Sequence, residues 1–177
     1  ASDKILKAMG RRTNNAELRN IISKLRKEIP DICLRTTLIT GFPGETEEDH
    51  HILLDFIDEM EFDRLGVFTY SPEEDTKAAS LDNQVDEEVK LCRKDEIMEL
   101  QQEISMDKSE RLVGKEFEVI IEGKASDEDV YVGRSYMDAP SVDGYVFINS
   151  EEELMSGDFA KVRIVKAMEY DLIGELI

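Results

Sequence analysis

Few residues in this 177-residue chain are of types that do chemistry on their own. The two histidines, His50 and His51, are adjacent and sit among Asp and Glu. A metal site would need further ligands at suitable spacing. None follows, so the pair is expected on a solvated helix face. The two cysteines, Cys33 and Cys92, lie far apart. They form neither a disulfide framework nor a metal-ligand set, and read as small buried hydrophobes. No Gly-x-Ser-x-Gly elbow, Walker loop or dinucleotide fingerprint occurs. What remains is a turn. A β-branched run over 32–40 ends in Gly41-Phe42-Pro43-Gly44, with a helix expected from Thr46. Ligands of α/β proteins sit outside the carboxyl ends of parallel strands, where strand hands over to helix. The turn is thus a candidate wall of a ligand site. A plain strand–helix connector is the simpler account of its two glycines and proline.

The elements that must position this turn follow from periodicity. Ile5, Leu6 and Met9 have helical spacing, and Arg11-Arg12 follow Gly10. Asn14 and Glu17 form an expected capping box. Behind it Leu18, Ile21, Ile22, Leu25 and Ile29 share one face, and Pro30 stops the helix. The run 32–40 reads as a strand buried on both faces. The helix 46–60 carries Ile52, Leu53, Phe56, Ile57 and Met60 as its buried stripe, and 64–70 reads as a second strand. Strand, helix, strand makes one parallel βαβ unit. Two strands are too few for a stable sheet, so more sheet is expected from residues before Ala1 or from another chain. An acidic loop over 71–85 leads into a helix over 86–111, with Val89, Arg93, Ile97, Leu100 and Ile104 inward. Arg93 there would snorkel or pair with a carboxylate. From Gly114 the period becomes two. Five short strands follow, expected to close into a small antiparallel barrel of oligonucleotide-binding type. The expected fold class is therefore α/β plus all-β, divided into 1–111 and 112–177.

Charge narrows the partners. Lys and Arg number 22 against 41 Asp and Glu, a net charge of −19. Such a surface repels nucleic-acid phosphates and suits basic partners; simple solubility is the common alternative. Two distant cysteines fit a reducing cytoplasm. No run reaches transmembrane length and no signal peptide is visible. The opening ASDKILKAMG, without Met, reads as the start of a fragment.

The segments LRTTLITGFPGETEEDH, FDRLGVFTYSPEEDT and LQQEISMDKSERLVGKEFEVIIEG together resemble the C-terminal part of the radical S-adenosylmethionine methylthiotransferases. The resemblance covers essentially the whole chain. It implies the last strands of a radical-enzyme α/β (TIM-like) barrel, followed by a complete TRAM barrel. One branch of that family modifies tRNA adenosines; the other adds a methylthio group to the β-carbon of an aspartate in a small-subunit ribosomal protein. Residues 111–177 hold seven Lys/Arg against fifteen Asp/Glu, net −8, which is poorly suited to RNA. With YVGRSYMDAPSVDGYVFI and EYDLIGELI, this favours the ribosomal-protein branch.

By that resemblance the strand and turn 35–44 form part of the S-adenosylmethionine pocket. Ile39 would pack on adenine, Gly41 would allow close backbone approach, and Arg35 or Thr37 would meet polar atoms. Phe68 would add an apolar wall, and Ser2 would approach the ribose or methionyl end. Core packing is the alternative for Ile39 and Phe68, and an internal ion pair for Arg35. Substrate-docking carboxylates would be Asp127, Glu128, Asp129, Asp138 and Asp143, with a plain solvated rim as the alternative. The family's two [4Fe–4S] clusters need cysteine sets absent from this sequence. No catalytic or metal-binding residue is therefore expected here, and the fragment is expected to be inactive alone. The alternatives are a tRNA-modifying enzyme and a non-catalytic acidic TRAM-like binding module.

Overall fold

A computed structural model describes residues 1–125 and 130–177. They divide into two compact units, Ala1–Ile104 and Ser105–Ile177.

In the first unit, α1 (Asp3–Ala8) starts at Ser2, whose hydroxyl accepts the Ile5 amide. α2 (Asn15–Glu28) carries the capping box of Asn14 and Glu17. Leu18, Ile22 and Leu25 pack against Leu34, Phe56, Met60 and Phe62. Ile21 and Ile29 remain 49% and 50% exposed. The expected stripe is therefore half covered, because only one flank of α2 meets a partner.

β1 (Arg35–Thr40) and β2 (Arg64–Thr69) pair in parallel from Arg35↔Arg64 to Thr40↔Thr69. Between them runs α3 (Glu47–Met60), opened by a second capping box of Thr46 and Asp49. α4 (Glu87–Glu110) follows. Leu53 and Ile57 of α3 and Ile97 and Ile104 of α4 cluster with Val67, and Leu38 and Leu65 pack against them. One face of the two-stranded sheet is thus covered. The other carries Arg35, Thr37, Ile39 and Phe68 outward, Ile39 at 44% and Phe68 at 64% exposure. The expectation that β1 is buried on both faces fails here, since α3 and α4 both lie on the Leu38 side. Two strands, and no complete α/β barrel, are what the described residues supply.

The second unit is a closed barrel of β3 (Glu116–Lys124), β4 (Val130–Arg134), β5 (Val146–Asn149), β6 (Phe159–Ala167) and β7 (Leu172–Leu176), in the order β3-β4-β5-β7-β6. All five expected strands are present. The expectation of a purely antiparallel barrel is corrected: β5 and β7 run parallel. Parity requires it, because directions cannot alternate all the way round a closed ring of five strands. Alternate residues point inward and fill the interior with Val119, Ile121, Tyr131, Val146, Ile148, Val162, Ile164 and Leu172. Gly133 and Gly174 also point in. A Cβ there would stand 2.4 Å from Val119 Cγ1 and 2.2 Å from Val162 Cγ1, so only glycine fits. Bulges at Ile121/Gly123 and Ile164/Lys166 bend the two long strands.

Candidate functional site

The β1–α3 turn is built around one buried carboxylate. Glu45 Oε1 accepts the Gly41 amide at 3.0 Å, the Thr40 hydroxyl at 3.2 Å and Arg93 Nη1 at 2.9 Å. Arg93 Nη2 reaches Glu47 Oε2 at 3.2 Å. Lys90 is buried beside them. Its ammonium donates to Tyr70 O and Glu87 Oε2, both at 3.0 Å, and lies 5.7 Å from the Tyr70 ring centre. Phe42 is buried edge-on against Tyr70. Gly41 has φ +75°, and a Cβ on it would meet Lys90 Cγ at 2.2 Å. The close approach that requires glycine here is therefore made by a lysine of α4. The expected snorkelling or pairing of Arg93 resolves to pairing, as a buried charge demands.

A second knot ties α1 to α3. Asp49 accepts the Ser2 hydroxyl at 2.6 Å and Lys4 Nζ at 2.6 Å, and also the Thr46 amide and hydroxyl. Burial alone would raise the Asp49 pKa. The bonds from Lys4, Ser2 and Thr46 outweigh it and hold the carboxyl well below its ordinary range.

Between α1, α2 and β1 lies a cleft of about 430 Å³ lined by Ser2, Met9, Leu18, Arg35, Thr37 and Ile39 among others. Four of the six residues assigned to a cofactor thus meet at one cleft, although the Ser2 hydroxyl is already committed to Asp49. Phe68 pairs with Ile39 in register and shares its exposed face. Core packing does not account for Ile39 or Phe68. Gly41 points to the Lys90 side instead.

Of the docking carboxylates, Asp127, Glu128 and Asp129 lie outside the described residues. Asp138 is buried and accepts the Ser135 hydroxyl at 2.8 Å. Its place as a docking carboxylate is corrected: it braces the loop after β4. Asp143 is half-buried and accepts the Ala139 amide at 2.7 Å in the same loop.

His50 also departs from expectation. It is fully buried, while His51 is exposed and stands 3.7 Å from Glu47. His50 Nε2 lies 2.7 Å from Glu96 Oε2. The hydrogen bond with His50 is the largest of the effects that hold the Glu96 pKa below its ordinary value, against a desolvation cost that would raise it. Cys92 was expected to be buried but is exposed, and its thiol leans on Glu96 Oε1 at 3.5 Å. That hydrogen bond and the nearby negative charge raise the thiol pKa, making Cys92 a poor nucleophile. Cys33 is half-buried. Among the described residues no group of three or more His, Cys, Asp or Glu could hold a metal ion, and no helix is long and apolar enough to cross a membrane.

The class that this barrel defines is confirmed by comparison: the family model of the TRAM domain matches residues 113–177. Beyond the barrel, the entire chain has named relatives. It is 59% identical over 174 residues to the ribosomal protein uS12 methylthiotransferase RimO of Lachnoclostridium phytofermentans, covering 98% of this chain and 40% of that protein. Proteins of the same name from Acetivibrio thermocellus (51% identical, 100% of this chain and 39% of the relative) and Pelotomaculum thermopropionicum (53%, 100% and 40%) match it equally fully. The chain is therefore related along its whole length to the RimO methylthiotransferases, and spans about 40% of the length of the curated relatives it matches.

Proposed function

We propose that the chain serves as part of a methylthiotransferase that adds a methylthio group to the β-carbon of an aspartate in ribosomal protein uS12. The observation that carries this reading is the 59% identity, over 98% of the chain, to a protein named ribosomal protein uS12 methylthiotransferase. The net charge of −8 over residues 111–177 supports a basic protein substrate and disfavours RNA.

The first unit would be the last part of the α/β barrel of a radical S-adenosylmethionine enzyme. Its open sheet face fits one wall of a pocket for that cofactor. Ile39 and Phe68 offer adjacent apolar surface to a purine, while Arg35 and Thr37 supply polar contacts farther along β1. When bound, the cofactor would supply the transferred methyl group. The iron–sulfur clusters do not fit these residues: Cys33 and Cys92 are the only cysteines, one half-buried and one exposed. No step through a cluster is assigned to this chain. The barrel would dock the substrate, and two cysteines that form no disulfide with each other suit a reducing cytoplasm.

The test is a titration of the chain with purified uS12 and, separately, with tRNA at physiological salt. Binding of uS12 that weakens with added salt is expected. Tight, salt-sensitive tRNA binding without uS12 binding would transfer the reading to the tRNA-modifying branch.

A further inference from the structure

We propose that Arg93 is a positioning residue: through Glu45 it fixes the turn 41–44, and with it the β1 face to which the reading above assigns S-adenosylmethionine. The inference rests on that assignment.

Arg93 acts from behind the wall. Ile97, one turn along α4, packs with Val67 and Leu38, on the sheet face opposite Arg35, Thr37 and Ile39. From there one guanidinium holds two places at once. Nη1 binds the Glu45 oxygen that also takes the Gly41 amide and the Thr40 hydroxyl, and Nη2 binds Glu47 in the first turn of α3. The end of β1 and the start of α3 are thereby clamped to one rigid fork. Between them Gly41 (φ +75°) and Gly44 (φ +84°) both take conformations open to glycine. Pro43 fixes its own φ and the Glu45 amide donates to Phe42 O at 2.9 Å, so the entry to the turn at Gly41 is the point that depends on side-chain ties. Gly44 is tied at its amide to Asn83 O at 2.7 Å and at its carbonyl to Lys4 Nζ at 2.8 Å. Gly41 has only the Glu45 carboxylate at its amide. Without Arg93 that buried carboxylate loses its charge partner, and a buried unpaired charge rearranges toward water or takes a proton. Either change releases the Gly41 amide and lets the last residues of β1, Ile39 included, shift. Lys90 closes the other side: its stem fills the place of a Gly41 side chain and its head holds Tyr70 O, the residue after β2. Lys90 and Arg93 of α4 therefore brace the ends of both strands that carry the outward face.

The experiment is an NMR titration of the 177-residue chain with S-adenosylmethionine, following the Ile39 methyls and the Phe68 ring. Thermal unfolding is recorded in parallel for each variant. In the wild type both signals are expected to shift and saturate. Arg93→Ala should weaken binding at least about tenfold at temperatures where the variant is still folded, since small misplacements of a binding group are costly. Arg93→Lys should restore much of it by returning a charge to Glu45. If Arg93→Ala does not fold, Glu45→Gln decides: it keeps an oxygen for the Gly41 amide, loses the ion pair, and should bind more weakly. A wild type without shifts at Ile39 and Phe68 rejects the pocket reading and the inference together. A wild type that shifts, with folded variants binding equally well, rejects the positioning role alone.

Discussion

The two units solve the same problem, burying a β-sheet, to different degrees. The barrel closes on itself through the β3–β6 pair, so every strand has two neighbours and its interior is filled by eight buried side chains. The β1–β2 sheet has a single ladder, one covered face and one open face. Its polar groups compensate with ionic ties: Arg93 to Glu45 and Glu47, Lys90 to Glu87, and Lys4 to Asp49. Closure makes the barrel sensitive to volume. The open sheet instead depends on charge pairs behind it, and leaves a face available for a ligand.

The largest effect should therefore come from adding atoms inside the barrel. Gly174→Val would drive side-chain carbons into Val162 and toward the carbonyl of Arg163. A closed ring cannot spread to admit them, so a loss of about 3 kcal/mol or more is expected, read by urea unfolding of the β signal. Ile148→Ala, at a fully buried position, should cost about 3 kcal/mol by leaving a cavity. If both variants unfold at the wild-type urea concentration, the barrel interior is not the tightly filled space described above.

Which parts of this contrast were readable beforehand depends on what each residue type announces. The capping box of Asn14 and Glu17 was legible, because it carries its chemistry in local spacing; at the second helix only the start at Thr46 was. The five barrel strands were legible from period two. Parallel β5–β7 pairing was not read, although strand number and closure together demand it. His50 was misread because its type is polar, yet it stands three residues before Leu53 and seven before Ile57, on the buried stripe. α4 hides its inner face in the same way: Lys90, Arg93, Ile97, Gln101 and Ile104 recur at helical spacing, but three of the five are polar. Their partners, Glu45, Tyr70 O and Phe62 O, lie 20 to 48 positions away in sequence, beyond what periodicity can show. Of the candidate site, the β1 positions were legible as a strand end. The role of Gly41 was not, because the group it makes room for is a lysine of α4.

An intermediate effect should come from Asp49, and it should depend on pH. Its folded pKa lies below the unfolded value of about 3.9. The associated stability is therefore complete above about pH 4 and is lost as pH falls through the folded value. Asp49→Asn removes the charge that Lys4 and the α3 cap rely on. It should cost about 1–2 kcal/mol at neutral pH and flatten the acid limb of the unfolding profile of the first unit. Urea titrations from pH 7 down to strong acid, for wild type and variant, would show the two curves converging only in acid. Parallel curves throughout would mean that Asp49 is not ionised in the fold, and that the open unit is not held by charge at this point.

The smallest effect on stability is expected where the sheet is open, and that is what separates a ligand face from a core. Phe68→Ser and Ile39→Ser remove large apolar groups, and in the barrel such changes would be ruinous. Here Phe68 and Ile39 are outside the packed clusters, Phe68 largely and Ile39 about half exposed, so far less burial is lost than in the barrel, and least at Phe68. Each should alter unfolding free energy by about 0.5 kcal/mol or less, while abolishing the S-adenosylmethionine-dependent shifts on β1. A loss of 2 kcal/mol or more in either variant would show that this face is packed in solution, by another copy of the chain or by the chain itself. It would then not be the wall of a pocket. Measuring the same variants over a range of protein concentrations distinguishes those two, because only packing against a second copy weakens on dilution.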